Sequence, residues 1–252
     1  MRVAIVSDVH GNLTALEAVV ADLRRQAPDL ILHGGDLPAS GARPAAVVDR
    51  VRELGWPGVC GNTDEMLWAP EHLAALARRQ PRLHEIWRVI EETAARARDA
   101  LGEERLAWLQ GLPRELRHGP LALVHARPGD LWTAPPPAAG DDELAAAYGP
   151  LRAAVAVYGH IHQPFVRQVG ASIVANSGSV SLSYDGDPRA SYLLIDQIGG
   201  SDVTGGAVVS IRRVEYDVEA EAAWLLRSDL PRAEWLCAML RAGRPLPLPT
   251  ES

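Results

Sequence analysis

The sequence predicts an α/β protein built on mixed β-sheet, and three observations carry that prediction. Apolar tetrads alternate with helical stripes through the first sixty residues, a long helical stretch interrupts that rhythm, and short apolar runs joined by turn-forming residues fill the second half. Val3-Ala4-Ile5-Val6 is a continuous apolar run, the signature of a strand buried on both faces. Leu13, Leu16, Val19, Val20 and Leu23 recur at helical spacing, and Pro28 marks the end of that helix. Leu30-Ile31-Leu32 reads as a second strand. Pro44 then sits at a first helical position, with Val47, Val48, Val51 and Leu54 on one face. Gly58-Val59-Cys60 reads as a short third strand, which completes a β-α-β-α-β start and implies a parallel sheet with right-handed crossovers.

Residues 64 to about 111 form the interruption. Leu83, Ile86, Trp87, Ile90, Ala94, Ala97 and Leu101 make one long amphipathic stripe, and Leu106 and Leu109 continue it after Gly102. Core packing is the expected use of this stripe, with a homodimer face as the alternative. Strands return at Leu121–Val124, Val155–Tyr158, Ala171–Val174, Tyr192–Ile195 and Val208–Ile211. The last four are separated by connections bearing Gly, Pro, Asn and Asp. A short helix is expected near Asp141–Tyr148 after a proline-rich loop. Residues 217–243 read as helical, with Leu225, Leu226, Trp235, Leu236, Met239 and Leu240 facing inward.

Composition excludes several classes. With 47% apolar and 23% charged residues in 252, wholesale disorder is ruled out. Twenty-five basic against 32 acidic residues leave a net charge of −7, so no broad basic footprint exists for nonspecific DNA binding. Cys60 and Cys237 are too few for a disulfide framework or a cysteine-based zinc site. The N-terminal apolar run is too short for a signal sequence and no stretch approaches a membrane span, so a cytoplasmic protein without membrane partners is expected.

The chemistry lies just after the apolar runs. Asp8 and His10 follow the first, Asp36 the second, Asn62 the third, His125 the run at 121–124, and His160 and His162 the run at 155–158. Carboxyl ends of strands are where open α/β sheets place their ligand crevice. On extended backbone, the i, i+2 pairs Asp8/His10 and His160/His162 would each point both side chains at one centre. Taken singly, each residue has an ordinary use: Asp8 or Asp36 as a cap, His125 as a hydrogen-bonded core histidine, Asn62 after Gly61 as a turn. Their joint placement is what argues for a site, and His33, His72, His84 and His118 are left as structural or surface residues. Two Asp, four His and one Asn without cysteine suit Mn, Fe, Zn, Ni or Co, manganese being the first expectation. Seven donors exceed the needs of one tetrahedral ion and suit two divalent ions with one carboxylate bridging.

Asp8-Val9-His10-Gly11-Asn12, Gly34-Gly35-Asp36, Gly61-Asn62-Thr63-Asp64, His125 and Gly159-His160-Ile161-His162 resemble, in order, the five blocks of calcineurin-like metallophosphoesterases. Asn176-Ser177-Gly178-Ser179-Val180 is similar to the Asn-Pro-Gly-Ser turn of the small bacterial phosphodiesterase branch, with Ser177 where proline is usual. The resemblance covers residues 1–64 and about 121–197. It implies that Asp8, His10 and His162 hold one ion, that Asn62, His125 and His160 hold the other, and that Asp36 bridges. The implied fold is a four-layer α/β/β/α sandwich of two mixed sheets. Residues 1–243 would form a single domain carrying the helical insertion at about 64–111, and 244–252 a flexible tail.

The resemblance further implies hydrolysis by a hydroxide that bridges the ions, with Asp36 and Asn62 serving the attack. Phosphodiesters, phosphomonoesters and nucleotide phosphoanhydrides are the candidate bonds, and a small phosphorylated substrate or nucleotide is the expected partner. Asn62, Thr63 and Arg127 are the candidate substrate contacts. Thr63 stands where many relatives carry a histidine thought to protonate the leaving oxygen, and a threonine hydroxyl does not titrate near neutral pH. Asp64 would then cap the insertion helix. A Ser/Thr phosphoprotein phosphatase is the alternative activity, and a non-catalytic scaffold on the same fold the alternative of another class. No second Asp follows Asp8 by two residues, and neither a Gly-x-Ser-x-Gly elbow nor a Gly-x-Gly-x-x-Gly cradle occurs. Specificity is expected to lie in the 64–111 cap and the 126–140 loop.

Overall fold

The computed structural model describes residues 1–197 and 206–249, so the last three residues of the expected tail lie outside the described residues. All four residues of β1 (Val3–Val6) are buried. Asn12 caps α1 (Leu13–Gln26), its side-chain oxygen accepting the Ala15 N–H at 2.8 Å. There follow β2 (Leu30–His33) and α2 (Pro44–Leu54), which begins on its proline and ends at left-handed Gly55. The insertion comprises α3 (Asn62–Glu65), α4 (Pro70–Arg79) and α5 (His84–Gln110). Next come β3 (Glu115–His118), β4 (Leu121–Val124), α6 (Asp141–Tyr148) and β5 (Val155–Tyr158). The chain continues with β6 (Phe165–Val169), β7 (Ser172–Asn176), β8 (Ala190–Asp196) and β9 (Val208–Val214), then α7 (Val218–Arg227) and α8 (Ala233–Ala242).

The strands form two mixed sheets, ordered β2-β1-β8-β9 and β3-β4-β5-β7-β6. The parallel pairs are β1/β2 at one edge of the first sheet and β4/β5 and β5/β7 at the centre of the second; the remaining pairs in both sheets are antiparallel. Side-chain alternation then builds the layers. Val3, Ile5, Leu32, Leu193 and Ile195 of the first sheet meet Leu121, Leu123, Val155 and Val157 of the second in a dry central core. Ala4, Val6, Tyr192 and Leu194 point the other way, onto α1, α2 and α5. Ala122, Val124, Ala156 and Tyr158 turn outward beneath α6. The result is a four-layer α/β/β/α sandwich.

Several local expectations change. Gly58-Val59-Cys60 is not a strand; it makes a single parallel bridge, Gly58 to His33, before turning into α3. The edge strands β3 and β6 alternate polar and half-buried residues, so no apolar run announces them. α4 lies outside the predicted stripe. Gly102 breaks α5 with φ 67° and ψ 174°, where the sequence places a break. Leu226 points to solvent at 51% exposure, because α7 turns Ala222 and Leu225 inward instead. Leu246, in the segment expected to be loose, packs against α7 and α8, and its carbonyl accepts the Trp235 Nε1–H at 3.1 Å. Among the described residues, no helix is long and apolar enough to cross a membrane.

Candidate metal centre

The loops that leave β1, β2, β4 and β5 converge at one edge of the sandwich, and the chain turns sharply there. Asp8, His10, Asp36, His160 and His162 all have left-handed backbone, with φ between 48° and 67°. Such conformations cost a non-glycine residue about 1–3 kcal/mol and persist only where surrounding contacts enforce them. Here the Asp8 N–H donates to Gly35 O, the His10 N–H to Asp36 O and the Gly11 N–H to Leu37 O, at 2.8–3.0 Å, lacing the two loops together. This geometry replaces the extended-backbone argument for the i, i+2 pairs. His162 joins Asp8 and His10, whereas His160 turns away to Asn62, with Nδ1 and Oδ1 2.9 Å apart.

The motif glycines have steric reasons. A Cβ at Gly61 would overlap the Asp36 carboxylate, and one at Gly159 would overlap that of Asp8. Asn176 spans the turn behind them, donating to Gly159 O at 2.6 Å and accepting the Gly178 N–H at 2.8 Å. The Ser179 hydroxyl donates to Asp8 O at 2.9 Å, so this turn buttresses the first aspartate.

Two donor groups result. The ligand atoms of Asp8, His10 and His162 lie within 4.8 Å of one another, as do those of Asp8, Asp36 and His125. Asn62 Oδ1 stands 2.8 Å from His125 Nε2, which is itself 3.4 Å from Asp36 Oδ1. Three histidines are oriented from behind: His10 Nδ1 meets Ala39 O at 3.0 Å, His125 Nδ1 meets Gly34 O at 2.8 Å, and His162 Nδ1 meets Leu182 O at 2.7 Å. A carbonyl oxygen only accepts, so each Nδ1 carries a proton, and Nε2 is the atom each ring turns inward as a candidate ligand. His10 Nε2 and His162 Nε2 are 3.1 Å apart, and His162 Nε2 is 3.2 Å from Asp8 Oδ1. Nitrogen and carboxylate atoms so placed need positive charge among them, a proton on His162 or a metal ion. A ring N–H given to a backbone carbonyl is also the usual brace for a metal-bound imidazole. The donor set therefore fits divalent ions.

Electrostatics agree. Burial pushes against a charged His162, yet Asp8 beside it shifts that imidazole upward; His125 moves the same way, Asp36 and Asp8 outweighing its burial. Burial holds His10 down to about 4, with His162 adding to the effect. Asp8 lies below the usual carboxylate range despite its burial, because His162, His125 and His10 surround it. Burial pushes Asp36 the other way, upward, with the neighbouring Asp8 adding to the effect, so the two carboxylates together call for more positive charge than the histidines supply.

Asp64 does cap the first helix of the insertion, the short α3, from inside its first turn and not from the N-cap position. It is the third residue of α3, fully buried, and its carboxylate accepts from Gly61 N at 2.8 Å, Asp36 N at 2.9 Å and Leu37 N at 3.0 Å. Thr63 lines the cavity beside the centre, its N–H donating to Asp36 Oδ1 at 2.9 Å. Arg127 is not brought in: its guanidinium pairs with Asp130 at 3.1 Å across a surface turn and forms no part of the cavity wall. Sequence reasoning missed Tyr184, whose ring stacks on His162 at 4.6 Å. It also missed Glu65, buried in α3, which accepts from Trp132 Nε1 at 2.7 Å and pairs with Arg114 and with His72 at 2.8 Å. Neither sits after a strand, so the pattern that revealed the donors does not reach them. His33 lies fully buried at the end of β2, away from the cavity.

Two facing mixed sheets with acidic and imidazole donors gathered at one edge define a metallophosphoesterase. The sequence profile of the calcineurin-like phosphoesterase superfamily domain matches residues 1–198, and the chain belongs to that superfamily. It is 28% identical over 263 residues to an uncharacterised protein of Methanocaldococcus jannaschii, covering 96% of this chain and 98% of that one. A probable cyclic nucleotide phosphodiesterase of Synechococcus is 27% identical over 188 residues, 67% of this chain and 71% of the relative. The crystal structure of a metallophosphoesterase from Sphaerobacter thermophilus superposes with a TM-score of 0.74 at 28% identity, covering 96% of this chain and all of that one, 100%. A hypothetical protein of Pyrococcus horikoshii shares the fold at 17% identity, with a TM-score of 0.78 over 96% of this chain and 98% of its own.

Proposed function

We propose that the protein is a dinuclear metal-dependent phosphoesterase that hydrolyses phosphodiester, phosphomonoester or nucleotide phosphoanhydride bonds, with manganese its expected metal. The observation that carries this reading is the gathering of Asp8, His10 and His162, and of Asp8, Asp36 and His125, into two groups whose ligand atoms lie within 4.8 Å of one another, with the Nδ1 of all three histidines committed to carbonyls. Asp8, His10 and His162 would hold one ion, Asn62, His125 and His160 the other, and Asp36 both. When bound, such ions activate water and neutralise phosphoryl charge.

The chain's own residues prepare that chemistry. The carbonyls of Ala39, Gly34 and Leu182 keep three imidazoles in the tautomer that presents Nε2. The Thr63 N–H fixes the Asp36 carboxylate, and Asp64 fixes the Asp36 backbone. At position 63 no titrating group stands to protonate a leaving oxygen, so aryl esters and anhydrides should react faster than alkyl monoesters. The names of the Sphaerobacter and Synechococcus relatives support a phosphoesterase reading. The test is metal content by elemental analysis together with hydrolysis of bis-p-nitrophenyl phosphate in Mn²⁺. Asp36→Ala is expected to lower kcat/KM by at least a hundredfold and to lose bound metal; unchanged activity would overturn the assignment.

A further inference from the structure

We propose that the substrate carries an uncharged apolar ester arm, alkyl or aryl, received in the cavity that extends from the donor centre beneath the helical insertion. This rests on the phosphoesterase reading above. The cavity measures about 410 Å³, within the range of small-molecule sites. At one end it opens on His10, Asp36, His160 and His162. Its remaining walls come from several separate parts of the chain, among them Leu73 of α4, Ile86 and Trp87 of α5, Trp132 of the 126–140 loop, and Leu236 and Met239 of α8.

The amphipathic stripe of α5 explains why this space exists. Its later residues, Ala94, Ala97 and Leu101, are buried against the core. Its earlier residues, Ile86, Trp87 and Ile90, belong to the same stripe yet remain only half-buried: Trp87 and Ile90 touch the edge of that core, and all three line the cavity. Apolar surface at the end of a helix is thus left for a ligand beside the reacting centre.

Charge narrows the ligand further. All 25 basic residues of the chain are arginines, and none lines this cavity among the described residues. A nucleoside polyphosphate brings additional phosphates that proteins ordinarily hold with arginine or lysine. Beyond the donor centre such phosphates would meet mostly Leu, Ile, Met and Trp side chains, with Thr93 and Tyr184 as neutral polar neighbours and no cation. An apolar arm gains there instead, by roughly fourfold in affinity for each buried methylene.

The experiment uses the Mn²⁺-loaded full chain and two matched series. Methyl-, butyl- and octylphosphonate, which are not hydrolysed, are titrated calorimetrically, and the p-nitrophenyl methyl, butyl and octyl phosphodiesters are assayed as substrates. Affinity and kcat/KM are both expected to rise at least tenfold from methyl to butyl, with binding heat capacity growing more negative along the series. Trp87→Ala and Ile90→Asp, made separately, are each expected to shrink the octyl-to-methyl ratio. Flat dependence on chain length, with bis-p-nitrophenyl phosphate still hydrolysed, overturns the apolar arm and leaves the phosphoesterase reading standing. A tenfold preference for diadenosine tetraphosphate over the octyl diester does the same. Absence of hydrolysis of every ester overturns both.

Discussion

Asp64 shows how much a site depends on a residue that touches no substrate. Three backbone N–H groups, from Gly61, Asp36 and Leu37, converge on one buried carboxylate. Both oxygens are engaged, so the loop after β2 and the first turn of α3 are held in one piece, and Asp36 and Asn62 with them. Asp64→Asn keeps the shape but replaces one acceptor oxygen with an NH₂ that faces N–H donors. A buried donor left unpaired costs about 1–3 kcal/mol. The variant is expected to lower the urea midpoint accordingly and to reduce kcat/KM on bis-p-nitrophenyl phosphate by roughly 10–100-fold, the usual cost of removing a brace behind a metal ligand. Wild-type turnover in Asp64→Asn, measured on folded protein, would show that Asp36 needs no such support.

At the scale of elements, α5 is the part whose local backbone and tertiary role are most tightly coupled. Gly102 sits inside it with φ 67° and ψ 174°, a region open essentially to glycine alone. A Cβ there would meet nothing within 4 Å, so the cost of substitution lies in the backbone and not in packing. Gly102→Ala should therefore destabilise the protein by about 1–3 kcal/mol in chemical denaturation, with activity retained where the fold is populated. A neutral result would mean that the helix runs straight through this point in solution. The same helix marks what could be read from sequence. Its stripe and its break were legible because 3.6-residue periodicity and a glycine are local signals. That half the stripe faces a cavity was not legible, since the opposing wall comes from α8, more than a hundred residues away. The strand-end donors were legible for the opposite reason: apolar runs ending in Asp or His need no tertiary knowledge. Asp8 and His10 do share one donor group, but His160 and His162 part, and the pleated-strand reason fails for both pairs because Asp8, His10, His160 and His162 are themselves left-handed. The polar edge strands β3 and β6 stayed hidden because only one of their faces is even partly covered.

For the whole molecule, the decisive fact is that the donors come from both sheets. Asp8, His10 and Asp36 follow β1 and β2 of one sheet; His125, His160 and His162 follow β4 and β5 of the other. The central core holds the sheets together by apolar contact, but at this edge five left-handed residues and the crowded imidazoles of His10 and His162 work against closure. Cations bound there would draw both sheets to a common charge and offset that cost. Binding to the folded state alone then adds stability by mass action, about 2.7 kcal/mol at a free ion concentration one hundred times Kd. For a chain of this size each kcal/mol raises Tm by roughly 2–4 °C, so saturating Mn²⁺ should raise it by roughly 5–11 °C and EDTA should reverse the gain. Calorimetry of the wild type and of Asp36→Ala separates this from ions on the acidic surface. Surface ions would shift both proteins alike, whereas ions joining the two sheets shift only the protein that keeps the shared carboxylate. An equal shift in Asp36→Ala would place the stabilising ions elsewhere and remove the link between the site and the closure of the sandwich.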